Sequence, residues 1–223
     1  MSGRAPDALR SSGVFVGIDV GARVHHVAVV DDRGAVLELP AAGVDLEAVV
    51  AGLEARGAVR GIAIDAPAVP APVGLRSRPA EAHVVRALGC RIFATPPAEQ
   101  VAGHWLEGFL RAGFQLHARL ADHGAVEVFP TASRTVWAGR RLPGETKAAW
   151  SERVLRARAA GLGVARTLPG RWNQHQRDAL TAAWTALEHA AGHAVELDGG
   201  TAPGIWVPRG RSGPRSARGD VTD

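Results

Sequence analysis

The chain has one cysteine, Cys90, in 223 residues. A single cysteine excludes an intrachain disulfide framework, and with it the small secreted scaffolds that depend on one. No apolar run approaches the roughly twenty residues that cross a bilayer, so no membrane-spanning helix is expected. The opening stretch, MSGRAPDALRSSG, has no apolar segment of the kind a secretory signal needs. These absences predict a cytoplasmic protein with no membrane association. Tyrosine is missing, and Lys147 is the only lysine, so almost all the basic charge is arginine. The net charge of +4 does not by itself point to nucleic acid. Most of it lies at the ends: four Arg and two Asp in Val207–Asp223, two Arg and one Asp in Met1–Ser12. Such ends would add a salt-sensitive supplement to polyanion binding, no more.

What is present is enough apolar residue, 46%, for one domain with a substantial core. Residues 1–12 read as a disordered leader and 209–223 as a disordered basic tail, leaving a domain over 13–208. Short apolar runs separated by Gly- and Asp-containing turns predict strands at Val14–Val20, Val24–Val30 and Ala35–Leu39, joined by short loops as an antiparallel meander. Asp45–Arg56 has apolar residues at helical spacing, and Val59–Asp65 is a strand. A helix between strands implies a crossover, so this fourth strand should run parallel to an earlier one. An inserted, largely helical region follows over about 67–123, opened by the proline-rich APAVPAP. Within it Arg78–Leu88 and Val101–Asp122 read as helices and Cys90–Ala94 as a short strand or extended piece. Ala125–Phe129 is a strand; Thr131–Ala138, Lys147–Ala160 and Asn173–His193 are helices. Ala194–Leu197 and Gly204–Val207 are short extended pieces. The order β-β-β-α-β, insertion, β, helices defines a ribonuclease H-like α/β layout. It has a mixed five-stranded sheet, helices on both faces, and its first strand central, next to the fourth.

Candidate site residues are the acids at element ends. Asp19 closes the first strand inside Gly-Ile-Asp-Val-Gly, and Asp65 closes the fourth. If those strands are parallel, both carboxylates emerge at one C-terminal edge, where open α/β sheets bind ligands. Asp178, at the start of the last helix, can join them. Three clustered carboxylates repel one another until a cation neutralises them, and hard oxygen donors suit Mg²⁺ or Mn²⁺. Two such ions about 4 Å apart clamp the attacking and leaving oxygens of a phosphodiester displacement. Glu127 is a fourth candidate acid. Each acid also has a plain structural reading: turn former for Asp19, loop cap for Asp65, helix-dipole partner for Asp178, arginine partner for Glu127. Only their order on these elements favours a metal site.

The stretches GIDVGARVHHVAVVD, VRGIAIDAPAVPA, RPAEAHVVRALGCRIFATPP, VEVFPTAS, ETKAAWSERVLRARAAG and RDALTAAWTAL, in that order, resemble domain-of-unknown-function family 429. Those proteins are predicted nucleases of the ribonuclease H fold. The resemblance implies acids at Asp19, Asp65, Glu127 and Asp178 and basic residues at Lys147 and Arg153. It also implies an Arg-x-x-Asp segment, which here reads Arg78-Pro79-Ala80-Glu81 and is followed by Arg86. Glu81 keeps the charge of the family's Asp on a longer arm. Lys147 either holds a phosphate oxygen with a compact ammonium or is a single solvated surface lysine. Arg76, Arg78 and Arg86 either guide a phosphate backbone or pair with Glu81; Arg78, Arg86 and Arg153 are taken as the substrate-binding set.

Other residues read first as packing. His25 and His26 alternate across a strand and cannot both face one site. His189 and His193, a helical turn apart, mark an exposed helix end rather than a zinc pair. Trp137 or Trp172 could stack a base but suit a core, and Cys90 lacks a catalytic partner. The function expected is a divalent-metal-dependent nuclease or phosphodiesterase acting on DNA or RNA, with a homo-oligomer among the partner expectations. Two alternatives stay open. One is a non-catalytic binding module of the same fold. The other is an ATPase or sugar-kinase-like phosphotransferase, whose duplicated domain and second phosphate loop are absent from these residues.

Overall fold

A computed structural model of the chain describes residues 13–56, 58–200 and 203–210. The expected leader, and the expected tail from residue 211 on, lie outside the described residues. The elements run β1 (Val14–Asp19), β2 (His26–Val30), β3 (Val36–Glu38), α1 (Leu46–Arg56), β4 (Val59–Asp65), α2 (Pro79–Leu88) and α3 (Glu107–Arg119). They continue with β5 (Val126–Glu127), α4 (Pro130–Ala138), α5 (Lys147–Leu162), α6 (Gln174–Ala190), β6 (Ala194–Leu197) and β7 (Ile205–Pro208).

The five-stranded sheet has the order β3-β2-β1-β4-β5. β2 runs antiparallel to β1 and β3, while β4 is parallel to β1 and β5 to β4. A three-stranded meander continued by parallel crossover strands, with β1 central, is the ribonuclease H-like arrangement. β6 and β7 pair antiparallel as a separate two-stranded sheet.

The alternation of side chains builds two unlike faces. On one face Val16, Ile18, Val29, Ile62 and Ile64 pack with Val49, Val50 and Leu53 of α1 and Leu116 of α3. These branched and long side chains fill an ordinary thick core. The other face is lined with small residues. Ala28 and Ala63 meet Ala179, Ala182, Ala183 and Ala186 of α6. Gly17 lets the helix backbone approach: a Cβ there would sit 2.1 Å from the Ala179 carbonyl oxygen and 2.1 Å from the Ala183 nitrogen. This seam lays α6 directly on β1, and so decides what the start of α6 can reach.

Two local expectations are corrected and one is narrowed. Of the short strand or extended piece expected at Cys90–Ala94, no strand forms, and the chain is held at Thr95, whose backbone N–H donates to Glu81 Oε2 at 3.0 Å. The long helix over Val101–Asp122 begins only at Glu107. Gly103 takes φ of +76°, and Glu107 turns back to accept its N–H at 2.7 Å. The last helix stops at Ala190, so His193 lies beyond it, facing Glu188 at 3.6 Å, while His189 packs edge-on against Trp206.

Candidate metal centre

The site is laid out by strand register. Asp19 pairs with Asp65 across the parallel β1–β4 ladder and with His26 across the antiparallel β1–β2 ladder. Residues in direct register point to the same face. Asp19 therefore stands between an acid on one side and an imidazole on the other. His25 turns to the opposite face and is buried there.

Above this row lies the first turn of α6. Asn173 caps it: its side-chain oxygen accepts the Gln176 N–H at 2.8 Å, and the Gln176 side chain accepts the Asn173 N–H at 2.9 Å. That reciprocal cap fixes the turn that carries His175 and Asp178, three residues apart and hence neighbours on the helix surface. Carboxylate oxygens of Asp19, Asp65 and Asp178 all lie within 4.8 Å of one another. His175 Nδ1 lies 2.8 Å from Asp19 Oδ2, with its ring stacked on His26 at a centroid distance of 4.7 Å.

The electrostatics match the crowding. Burial pushes the Asp19 carboxyl up to about 6, with the Asp178 charge adding to the rise and His175 and Lys147 opposing it. Burial also holds Asp65 well above the carboxylate range, and here both Asp19 and Asp178 add to it. Among the described residues Asp65 has no hydrogen-bond or ion-pair partner. Asp178 is better supplied. Arg134 on α4, fully buried, donates to its Oδ1 at 2.5 Å and to Thr181 Oγ1 at 2.9 Å. Gln174 donates to the same oxygen at 3.0 Å, and the half-exposed Lys147 ammonium lies 3.7 Å from Oδ2.

The other expected site residues lie elsewhere. Glu127 takes a bidentate bond from Arg78, at 2.6 and 2.5 Å, and accepts the Ala68 N–H at 2.8 Å. Arg78 also donates to Glu81, at 3.0 Å, and Glu81 bonds the Thr95 hydroxyl. With Arg78 and Glu127 each about 3% exposed, neither side chain is open to a substrate. The reason is geometric: the side chain of Glu127 reaches the Arg78 fork, which clamps it beneath the loop that follows Asp65. Arg153 pairs with Glu145 on the surface at 2.8 Å. Arg86 is exposed on α2. Trp172 is buried beneath Arg156 and Arg177, and Trp137 packs edge-on against Trp184.

Sequence reasoning missed Arg134, His175 and the facing of His26. His175 was within reach, since it precedes Asp178 by one helical turn. Arg134 carried no signal, being one arginine among many.

A cleft of about 490 Å³ adjoins the site at Lys147. Its lining includes Arg91, Arg140, Arg141, Phe93 and Phe129. No described helix is long and apolar enough to cross a membrane.

The family model described as "Protein of unknown function (DUF429)" matches residues 17–201. No curated protein matches the chain. Among solved structures, RuvC of Thermus thermophilus is similar, at 13% identity and a TM-score of 0.43, over 80% of this chain and 96% of that one. The T. thermophilus RuvC in complex with a Holliday junction substrate is similar at 14% identity and a TM-score of 0.44, over 81% and 96%.

Proposed function

The chain belongs to the DUF429 family, and from that premise we propose that it is a divalent-metal-dependent phosphodiesterase that cleaves nucleic acid. The observation that carries the reading is the convergence of Asp19, Asp65 and Asp178, with carboxylate oxygens within 4.8 Å. Three acids in that space are costly when ionised, as the raised Asp19 and Asp65 testify. Arg134 and Lys147 pair directly with Asp178 and act on Asp65 only through space, and among the described residues Asp65 has no hydrogen-bond or ion-pair partner. The donor set fits a hard divalent cation: all oxygen, anionic, at the open edge of the sheet. Asp19, Asp65 and Asp178 would hold Mg²⁺ or Mn²⁺. Such an ion supplies Lewis acidity toward a phosphoryl oxygen and eases deprotonation of water.

The chain's own residues would do the rest. The Lys147 ammonium stands at the boundary between the carboxylates and the basic cleft, suited to hold a non-bridging phosphate oxygen. Arg140 and Arg141 would bind flanking phosphates, and Phe129 offers an aromatic face to a base. Arg134 keeps Asp178 oriented from behind, and its burial keeps it from being displaced to solvent. Arg78 and Glu127 act at one remove, by holding Ala68 and hence the loop after Asp65. Arg153, paired with Glu145, and the exposed Arg86 would act by long-range attraction.

The test is cleavage of labelled single-stranded and duplex DNA and RNA with Mg²⁺, Mn²⁺ or chelator, with Asp65→Asn as control. Metal-dependent cleavage that the substitution removes supports the reading. Metal binding by calorimetry without cleavage of any substrate overturns it in favour of a non-catalytic module.

A further inference from the structure

We infer that Asp19, His26 and His175 form a second cation site, chemically unlike the carboxylate site and sharing Asp19 with it. Nitrogen or oxygen atoms from these three residues lie within 4.8 Å of one another. The placement follows from the same register that builds the first site. Asp19 has Asp65 on its β4 side and His26 on its β2 side. One turn of α6 then hangs Asp178 over the first pair and His175 over the second. The result is two triads meeting at one carboxylate: three oxygens on one side, two nitrogens and an oxygen on the other.

Two details favour ligation over simple packing. The 2.8 Å separation of His175 Nδ1 and Asp19 Oδ2 suits a hydrogen bond, and it also suits two adjacent ligands of one ion bound at about 2.0–2.2 Å. His26 is buried and stands in direct register with Asp19, so the strand pairing holds its ring beside that carboxylate before any ion arrives. The His175 side chain is 61% exposed, so the site is open from solvent and the ring has room to turn out of its stack on His26, as it must for both in-plane lone pairs to meet one ion over Asp19.

The donor chemistry names the ion class. Two imidazoles and a carboxylate are the borderline set of open transition-metal sites, with Zn²⁺, Co²⁺ or Mn²⁺ favoured over Mg²⁺. The two sites are thus expected to take different cations, a hard one among Asp19, Asp65 and Asp178 and a borderline one at the histidines. The inference deepens the proposed function through the shared Asp19, but it needs only metal binding to be tested.

The probe is Co²⁺, titrated into metal-free protein held in excess Mg²⁺ and followed by visible absorption and calorimetry. The wild type should bind one Co²⁺ per chain against the Mg²⁺. His175→Ala and His26→Gln should each weaken that event by at least about tenfold. Asp65→Asn should spare Co²⁺ binding while removing the Mg²⁺ heat. Should His26→Gln lose its fold by circular dichroism, the exposed His175→Ala still decides. Co²⁺ affinity unchanged in His175→Ala, or lost only in Asp65→Asn, overturns the second site. The nuclease reading fails separately, if the wild type binds Mg²⁺ and Co²⁺ yet cleaves nothing.

Discussion

Two neighbouring groups of acids use the same chemistry to opposite ends. Asp65 and Glu127 stand at the ends of adjacent parallel strands, β4 and β5. Glu127 is enclosed by Arg78, which also holds Glu81, and each of these side chains is buried and paired. Asp65 faces two more carboxylates and has no partner of its own among the described residues. One group is closed, its charges satisfied by protein; the other is left incomplete, with a surplus of negative charge at the sheet edge. A buried acid that is satisfied holds structure together. A half-buried acid that is not satisfied, crowded by others of its charge, calls for something from outside the chain.

The comparison breaks first on stability. Arg78→Met leaves Glu81 and Glu127 buried without their cation, and should cost about 3–5 kcal/mol in urea unfolding. Asp19→Asn relieves repulsion, so the metal-free protein should be equally or more stable. If Arg78→Met costs no more than a surface change, the closed group is not holding the fold.

The second effect is a pH dependence, with two groups pulling opposite ways. Asp19 has an unfolded value of 3.8 and sits at about 6 in the fold. The folded state keeps a proton that the unfolded chain releases, so this contribution is full below 3.8 and is lost as pH rises through about 6. It amounts to on the order of 3 kcal/mol. His117, half-buried and bonded to the Ala66 carbonyl, falls from 6.5 to about 4, with desolvation as the main cause. Its contribution is full above 6.5 and is lost as pH falls through about 4. In chelator, the other raised acids, Asp65 and Glu127, act alike in all three proteins, so from pH 4 to 6.5 the stability of Asp19→Asn should run upward relative to the wild type and that of His117→Gln downward relative to it. Parallel curves for all three proteins would remove Asp19 and His117 as the opposing groups.

The third effect is on turnover. Asp19→Asn should lower metal-dependent cleavage at least about 100-fold, or about 2.7 kcal/mol. Glu127→Gln, compared at a temperature where both variants are folded, should lower it far less. Equal losses would erase the distinction between the open and closed groups. The smallest effect is at Lys147. Lys147→Arg keeps the charge but replaces a compact ammonium with a planar fork, and should lower kcat about tenfold with little change in KM. A change in kcat below about twofold would return Lys147 to an ordinary surface role.

Much of the architecture was legible in the chain itself. The apolar runs Val14–Asp19 and Val59–Asp65 and the helix between them imply two parallel neighbours ending in acids, and the register pairs Asp19 with Asp65. The run of alanines after Asp178 implies a helix that lies close to the sheet, and Gly17 receives it. These are local properties, set by side-chain period and size, and nearby sequence suffices to read them.

Pairing between distant residues was not legible. Whether Glu127 joins Asp65 or is claimed by an arginine depends on Arg78, 49 residues away. The support of Asp178 by Arg134 spans 44 residues. An arginine-rich chain offers many partners for every acid, and no spacing rule chooses among them. Only tertiary packing does, because a charge is buried stably just where the folded chain brings its counter-charge within bonding distance. The sequence by itself determined which strands carry acids to the sheet edge. The tertiary structure decided which of those acids are satisfied, and so which remain for a metal.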